Sequence, residues 1–144
     1  MAESKDGIIV VSDGTKLKLK VAIVDAREAG FSPFGGVNIV VRPMAGLASL
    51  KVPQRLRDEV SDKPYVPERP EPPRDGWELM EIKEFSPAYA EEVIETSKGK
   101  FRVRVVAEPV MVARNMKYKT AVGEPYYWAN WVFKISWRPA EEKR

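Results

Sequence analysis

Apolar residues that recur at every second position predict β-strands along much of this chain. The clearest case is residues 16–24, where branched apolar side chains share one face and lysines share the other. The apolar face holds Leu17, Leu19, Val21 and Ile23, and the polar face holds Lys16, Lys18 and Lys20. Asp13-Gly14 favours a tight hairpin turn between this strand and a first strand at Gly7–Val11. The lysine row is typical of a solvated edge strand that resists aggregation.

Five further segments rich in apolar residues are predicted strands. They are residues 37–41, 77–85, 100–106, 110–113 and 126–138. The last segment divides by parity into two faces of different character. One face is core material, made of Tyr127, Ala129, Trp131, Phe133, Ile135 and Trp137. The other face mixes two aromatic rings with two cations and holds Tyr126, Trp128, Asn130, Val132, Lys134, Ser136 and Arg138.

Helix signals occur at three places. Residues 53–60 begin with proline, which suits the first turn of a short helix. Ser86-Pro87 has the form of an N-cap followed by proline at the first helical position, so residues 87–97 are a predicted helix that ends near a glycine. Residues 139–144 also begin like a helix. The predicted fold is therefore α+β, with an antiparallel sheet of about five to six strands and two or three short helices packed on one face.

We expect residues 1–144 to form a single domain, because the chain has the usual length of one. Residues 61–76 contain five prolines interleaved with charges, which predicts an extended or irregular connector pinned to the domain by an anchor such as Tyr65. No apolar run approaches the roughly 18 residues of a membrane span, and the N-terminus does not read as a secretion signal. We therefore expect a soluble cytoplasmic protein.

The composition excludes several classes of enzyme. The chain contains no cysteine and no histidine, which excludes disulfides, thiolate or histidine metal sites, and both Ser-His-Asp and Cys-His catalysis. We expect no catalytic residue, no metal ligand and no cofactor. The 31% of charged residues, the twelve prolines and the absence of cysteine are typical of proteins from hot environments, so a thermophilic source is expected.

Positive charge is concentrated in the last third of the chain, although the net charge is only +3. Residues 98–144 hold eleven lysines and arginines against four acidic residues. Single-stranded nucleic acid is bound by cations that follow the phosphates and by flat rings on which bases stack. The candidate phosphate contacts are Lys100, Arg102, Arg104, Lys117, Lys119, Lys134 and Arg138. The candidate stacking rings are Tyr126 and Trp128, with Tyr118, Phe31 and Phe34 as further candidates.

Two of these candidates depend on local context. Phe31 and Phe34 lie in a glycine-flanked loop, residues 30–36, which either displays its rings for stacking or folds them onto the core. Arg114 joins the lysines on either side of Tyr118, and together they suggest a ring bracketed by cations.

Two other functions remain open. The aromatic face and the connector at residues 61–76 could contact a protein partner, which would make the chain a protein-interaction or assembly module. A metal-dependent enzyme is the third hypothesis, since carboxylates at every third position would form one face of a helix able to hold Mg²⁺ or Ca²⁺. These carboxylates are Asp75, Glu78, Glu81 and Glu84, and their ordinary interpretation is a solvated acidic face. We expect that the chain is not an enzyme.

In overall design the chain resembles the DNA-binding part of the ThermoDBP family, the single-stranded DNA-binding proteins of certain hyperthermophilic archaea. The shared features are the length, the absence of cysteine and histidine, the basic and aromatic segments 100–106 and 126–138, and an end at 139–144 that leads toward a helix. The resemblance implies a cleft with an apolar floor and basic rims, and a role in DNA replication and repair. It also implies a homodimer formed through a C-terminal coiled coil, a helix that is absent from this chain.

The leading hypothesis is sequence-tolerant binding of single-stranded DNA, with RNA as an alternative ligand and no membrane partner. Electrostatic capture by the cations would be followed by stacking of bases on the aromatic rings.

Overall fold

The computed structural model describes residues 2–69 and 71–140, and nearly all of its regular structure is β. The strands are β1 (Ala2–Lys5), β2 (Gly7–Val11), β3 (Lys16–Glu28), β4 (Ile39–Lys51), β5 (Trp77–Met80), β6 (Ile82–Ser86), β7 (Ala88–Thr96), β8 (Gly99–Lys119) and β9 (Pro125–Pro139), and the one helix in these ranges is α1 (Gln54–Glu59). The α+β prediction is therefore wrong. The strands form two antiparallel sheets, and helices do not cover either of them.

Sheet A is organised around β8, whose 21 residues have different partners along their length. Along one edge, the first half of β8 pairs with β7 and the second half pairs with β5. Along the other edge, β8 pairs with almost the whole of β9. β1 extends the sheet beyond β7. Every pairing is antiparallel, so β7, β8 and β9 follow one another as two successive hairpins.

Sheet B has the strand order β4, β3, β2, β6, also with antiparallel neighbours. β2 and β3 form the hairpin that Asp13-Gly14 predicts, and Gly14 turns the chain at φ +92°. β3 lies between β2 and β4, so the interpretation of residues 16–24 as an edge strand is wrong. The lysines of β3 lie on the side of sheet B that faces away from the core.

The core lies between the two sheets and explains which side of each strand faces outward. Alternate residues of β8 are buried from Phe101 to Pro109, and they face buried leucines of β3 such as Leu17 and Leu19. Full burial of a leucine, valine or phenylalanine stabilises a fold by about 1.5–3 kcal/mol relative to exposure. This alternation fixes Arg102 and Arg104 on the opposite side of the strand, where solvent can reach them.

Residues 87–97 form strand β7 and not the predicted helix. Ala88 and Ala90 point into the core, and β7 pairs with β8 along its whole length. The Ser-Pro start, the alanines and the glutamates favour a helix locally, but pairing with β8 buries both alanines and satisfies the backbone in a sheet. Gly99, read from the sequence as the end of a helix, has φ +101° in the β7–β8 hairpin. A glycine with positive φ fits either kind of chain reversal.

The other predicted helices have different outcomes. Residues 53–60 contain α1, which buries Leu56 against the core and is followed by the buried Val60, so a short helix is confirmed there. At the end of the chain, Pro139 closes β9, and residues 141–144 of the predicted terminal helix lie outside the described residues. No helix within residues 2–69 and 71–140 is long and apolar enough to span a membrane.

The predicted strands are present, with changed bounds. Residues 37–41 mark the start of β4, which continues for ten residues beyond them. Residues 77–85 divide into β5 and β6, which belong to different sheets. Residues 100–106 and 110–113 belong to the single strand β8, whose pairing with β9 is interrupted by an irregularity after Pro109. Proline has no N–H to donate, so a change of register there is expected.

The connector at residues 61–76 crosses the surface and is fixed near both of its ends. Tyr65 forms an isolated bridge with Lys119, and the N–H of Val66 donates to the Lys119 carbonyl at 3.0 Å. Near the other end, the indole Nε1 of Trp77 donates to the Pro73 carbonyl at 2.6 Å. The anchor expected at Tyr65 is therefore present, and the connector brings its last residues against sheet A.

Candidate nucleic-acid interface

The side of sheet A that faces away from sheet B, called here the outer face, carries most of the candidate binding residues. On β9 it displays the even-numbered positions from Tyr126 to Arg138. On β8 it displays Arg102, directly opposite Arg138, and Arg104, directly opposite Ser136. The parity inferred from the sequence of β9 therefore agrees with the structure for this face.

Three rings form an aromatic cluster at one end of the outer face. Trp77 of β5 lies 5.3 Å from Tyr126 and 6.3 Å from Trp128, and the last two rings are 6.2 Å apart, between ring centroids. The contacts of Trp128 with both neighbours are edge-to-face, an arrangement that aromatic pairs favour. Trp128 remains 44% exposed. The cluster thus presents one ring that is oriented by its neighbours and open to solvent.

Trp77 was not among the residues selected from the sequence. It joins the cluster because Trp77 pairs with Asn115 of β8, and Asn115 pairs with Tyr126 of β9. This order of strands brings together residues that are about fifty positions apart in the chain. The available signal was the position of Trp77 directly after the proline-rich connector, at the start of a predicted strand.

Asn115 fixes the connector to the aromatic cluster. Its side chain is fully buried, donates to the Asp75 carbonyl at 2.8 Å and accepts from the N–H of Lys117 at 2.9 Å. Gly76 follows Asp75 with φ +89°, and a Cβ there would lie 2.7 Å from Asn115 Oδ1. The close approach explains glycine at position 76 and holds the rings beside a rigid turn.

Apolar side chains surround the cluster on the outer face. Leu79 of β5 is 80% exposed, Met111 of β8 is 50% exposed and Val132 of β9 is 45% exposed. They lie on the same face as Trp128. Leu79 and Trp128 both pair with Ala113, from opposite sides of β8, and Met111 precedes Ala113 by two residues on that strand. This half of the outer face is therefore mainly apolar and aromatic.

The other half of the outer face, called here the cationic end, carries five of the candidate phosphate contacts. They are Lys100, Arg102, Arg104, Lys134 and Arg138. Arg104 contacts Glu91 of β7 at 2.5 Å and lies over the Tyr89 ring, 4.2 Å from its centroid. Arg102 lies 3.7 Å from the same carboxylate. Residues of β7, the segment predicted to be a helix, therefore position Arg102 and Arg104.

Carboxylates also accompany the remaining cations, with one exception. Lys134 contacts Glu108 at 3.1 Å and Lys100 lies 3.9 Å from Glu95. Arg138 has no carboxylate at ion-pair distance within the described ranges, and it stands directly opposite Arg102. Like charges directly opposite each other in a sheet are destabilising. An anion bound beside Arg138 would therefore relieve its repulsion from Arg102.

Three more candidates lie at the end of β8, beside the connector. Lys117 contacts Asp75 at 3.3 Å, and Lys119 donates to the Ser61 carbonyl at 2.9 Å while its ammonium lies 4.8 Å from the centre of the Tyr65 ring. Tyr118 lines a cavity of about 490 Å³ whose other walls are connector residues. Their contacts with the connector show that Lys117 and Lys119 hold it in position.

Phe31 and Phe34 lie at the opposite end of the molecule from the aromatic cluster. Both are displayed, at 79% and 69% exposed. The rings of Phe34 and Trp137 pack edge-to-face with their centroids 6.5 Å apart, and the Trp137 indole donates to the Phe34 carbonyl at 3.0 Å. Nine residues of β9 separate Trp137 from Trp128, which is about 30 Å along a strand. The structure therefore does not bring these phenylalanines together with the rings of the cluster.

Arg114 turns away from the outer face into a buried polar network. Its guanidinium donates to Asp13 and to Glu78, each at 3.0 Å, and Asp13 also accepts from the Tyr127 hydroxyl at 2.6 Å and the Thr15 N–H at 2.9 Å. Burial alone would raise the pKa of Asp13, but these hydrogen bonds hold that pKa below its ordinary value. Burial and the bond to Asp13 raise the pKa of the Tyr127 phenol. The network joins the β2–β3 turn of sheet B to sheet A.

The acidic residues considered for a metal site do not share one helix face. Asp75 pairs with Lys117, Glu78 pairs with Arg114 and Glu81 pairs with Lys83 at 3.1 Å, along extended chain. Across residues 2–69 and 71–140, no group of three or more acidic side chains is arranged to hold a metal ion.

Comparisons of the chain with protein-family models, with characterised proteins and with solved structures find no match. They neither support nor contradict the resemblance to the ThermoDBP family, which stays a prediction.

Proposed function

We propose that this is a cytoplasmic protein that binds single-stranded DNA on the outer face of sheet A, without sequence preference and without catalysing a reaction. One observation carries the proposal: a single exposed sheet face has a ring open for stacking at one end and a group of cations at the other. These are the two components that single-stranded nucleic-acid sites combine.

Stacking on Trp128 would supply the part of the binding energy that does not depend on salt. Its ring is 44% exposed and is held edge-to-face by Trp77 and Tyr126, so little side-chain freedom is lost when a base packs against it. Stacking of one base on an aromatic side chain contributes about 1–3 kcal/mol and accepts any base. Sequence tolerance follows from the use of ring faces.

Phosphate contacts would come from the cationic end. Arg138 and Arg102 oppose each other and gain from an anion placed between them, while Arg104 and Lys134 are shared with carboxylates. Ten residues of β9 separate Trp128 from Arg138, about 33 Å along the strand, so the bound strand would run parallel to β9. Because Glu91 and Glu108 already neutralise part of the charge, we expect a moderate dependence on salt.

A protein partner is the second candidate, and one observation favours it. Leu79, Met111 and Val132 expose apolar surface around Trp128, and aromatic residues and methionine are enriched in protein interfaces. A protein partner would bind the apolar half of the face, and substitutions at the cationic end would then have little effect on its affinity. Leu79→Ala would then weaken binding of the partner, whereas it would change DNA affinity little.

The test of the proposal is tryptophan fluorescence during titration with a mixed-sequence single strand of about 20 nucleotides, compared with the duplex and with RNA. We expect saturable quenching by the single strand and weaker quenching by the duplex, whose bases are already stacked. Trp128→Phe should remove most of the quenching, because Trp128 is the ring exposed on this face. Unchanged fluorescence, with no change in anisotropy of a labelled strand, would reject DNA binding and leave the protein partner.

A further inference from the structure

One edge of β9 has no partner strand. β8 pairs with the other edge along the length of the strand, and no backbone pairing to the free edge occurs within the described residues. An unpaired edge presents a row of N–H and C=O groups that can pair with another strand. β9 is 15 residues long, and only its first residues lie close to β4 of sheet B, so most of this row is open along one side of sheet A.

The other edge strands are short or interrupted, as is usual for edge strands that must remain unpaired. β1 and β5 have four residues each and β6 has five. β4 has 13 residues but contains Pro43 and Gly46, and proline leaves a gap in any row of donors. β9 has neither proline nor glycine between Pro125 and Pro139, and it is rich in aromatic and β-branched residues that favour strands.

The sequence of β9 is complementary to itself when two copies run antiparallel. Its outer-face rings, Tyr126 and Trp128, lie near one end, and its cations, Lys134 and Arg138, lie toward the other. With the midpoint Val132 on a two-fold axis, Arg138 of one copy stands opposite Tyr126 of the other. Lys134 then stands opposite Asn130, so like charges do not meet. Every register centred on a residue from 130 to 133 places a cation directly opposite a ring.

The inner side of β9 also supports pairing. Phe133 and Ile135 have core parity and were predicted to be buried, yet they are 36% and 40% exposed near the free edge. In the arrangement centred on Val132, Phe133 stands opposite Trp131 of the other copy, and Ile135 stands opposite Ala129. Cross-strand aromatic pairs of this kind stabilise sheets, and the second copy would cover apolar side chains that sheet B leaves open.

We propose that two copies of this chain associate through antiparallel pairing of their β9 edges, with the two-fold axis at Val132, and so form one continuous sheet from two copies of sheet A. The interface is isologous, as expected for a two-fold dimer. Pairing in the plane of the sheet leaves the outer faces of both copies open. The dimer therefore does not depend on the proposed binding of DNA.

The first test measures mass in solution by sedimentation over a range of concentrations for the wild type, Val132→Lys and Val40→Lys. The two valines are equally exposed, at 45% and 44%, but Val40 lies on the other long edge strand, β4. Lysine at position 132 lies beside Glu108 in the monomer and opposite its own copy in the dimer. We expect a wild-type dimer, a dimer dissociation constant that Val132→Lys raises about tenfold or more, and no effect of Val40→Lys.

The second test reads the register directly, because the natural chain contains no cysteine. Cysteine replacing Val132 meets its own copy at a Cα separation of about 4.5–5.5 Å, within disulfide range. Cysteine replacing Asn130 is offset from its copy by four residues, about 13 Å, and is out of range. We expect the Val132→Cys variant to oxidise rapidly to a covalent dimer. The Asn130→Cys variant should form no more covalent dimer than the Val40→Cys variant, which measures the background.

Either test can overturn the proposal. A wild-type chain that remains monomeric at every concentration, or a dimer that Val40→Lys disrupts and Val132→Lys does not, rejects pairing through β9. Cross-linking of Asn130→Cys in preference to Val132→Cys rejects the two-fold axis at Val132. The cross-linking result holds even if the lysine variant fails to fold, and circular dichroism of each variant identifies that case.

Discussion

The two halves of the outer face of sheet A differ in how their side chains are held. In the aromatic cluster, Trp77, Tyr126 and Trp128 pack against one another, and the connector fixes them through Asn115. At the cationic end, the side chains are arranged by partly exposed ion pairs and one cation–π contact. Packing between the rings does not depend on salt, whereas salt screens the ion pairs at the cationic end, and their carboxylates would compete with a phosphate for the cations. A ligand that uses both halves should show separable contributions from each.

The largest expected effect comes from the buried network that joins the two sheets beneath the aromatic cluster. Asp13→Ala removes the acceptor shared by Tyr127, Thr15 and Arg114 and leaves buried donors without a partner, so the free energy of unfolding should fall by about 2–4 kcal/mol. Chemical denaturation of the variant and of the wild type measures this. A loss below about 0.5 kcal/mol would contradict the structural role given to the network.

The same carboxylate predicts the acid sensitivity of the fold. Because the pKa of Asp13 is lowered in the folded state, its contribution is present above the ordinary aspartate pKa, about 4, and is lost as pH falls through the folded value. Asp13→Asn should be less stable than the wild type at neutral pH, and the difference should shrink below about pH 4. Denaturation series at several pH values compare the two proteins. A difference that is constant with pH would contradict the ionised state of Asp13.

Loss of the open ring should weaken DNA binding more than any other change on the face. Trp128→Ala should raise the dissociation constant for a single strand about 5- to 150-fold, which corresponds to about 1–3 kcal/mol of stacking. Phe31→Ala is the control, since Phe31 is even more exposed but lies at the other end of the molecule. Equal losses for the two variants would mean that the cluster is not the stacking site.

Loss of one cation should have a smaller effect. Arg138→Ala should weaken binding about fivefold at moderate salt, the expected loss for one phosphate contact on a single strand. Lys16→Ala is the control, since it removes another exposed cation, on the outer side of sheet B, and should leave the affinity for the single strand unchanged. If Lys16→Ala and Arg138→Ala weaken binding equally, the effect belongs to net charge and not to the outer face.

Removal of a competing carboxylate should have the smallest effect, and in the opposite direction. Glu91→Gln releases Arg102 and Arg104 for phosphate contacts and should strengthen binding about two- to fivefold, in line with the modest coupling of partly exposed ion pairs. Glu84→Gln removes the same charge from sheet B and is the matched control. Weaker binding by Glu91→Gln would show that Glu91 positions the arginines and does not compete with the ligand.

The outer face of β9 was predictable from the sequence because strand parity is a local property. Alternation in residues 126–138 placed Trp128 and Ala129 on opposite faces without knowledge of the fold, and Ala129 is buried as its face predicted. Phe133 and Ile135 have the same parity as Ala129 but are exposed, because sheet B does not cover them. The helix predicted at 87–97 failed because local propensity was overridden by pairing with β8. Such pairing depends on a partner strand, and strand order cannot be derived from alternation.

The remaining differences at the candidate site arise from contacts between distant parts of the chain. Trp77 joins the cluster only through the order β5, β8, β9, and Phe31 is excluded from it only by the position of its loop. Arg114 turns inward because Asp13, about one hundred residues earlier, lies on the facing sheet. Charge and residue type identified candidate residues, and only the three-dimensional arrangement separated those on the outer face from those that hold the fold together.

The most direct test is the salt dependence of single-strand binding, measured by fluorescence anisotropy for the wild type, Trp128→Ala and Arg138→Ala. The slope of log affinity against log salt should become shallower by about 0.7 in Arg138→Ala and should be unchanged in Trp128→Ala, although Trp128→Ala binds more weakly. This result would assign stacking to the aromatic cluster and phosphate contacts to the cationic end. Equal slopes in the two variants, or no binding by the wild type, would contradict the account.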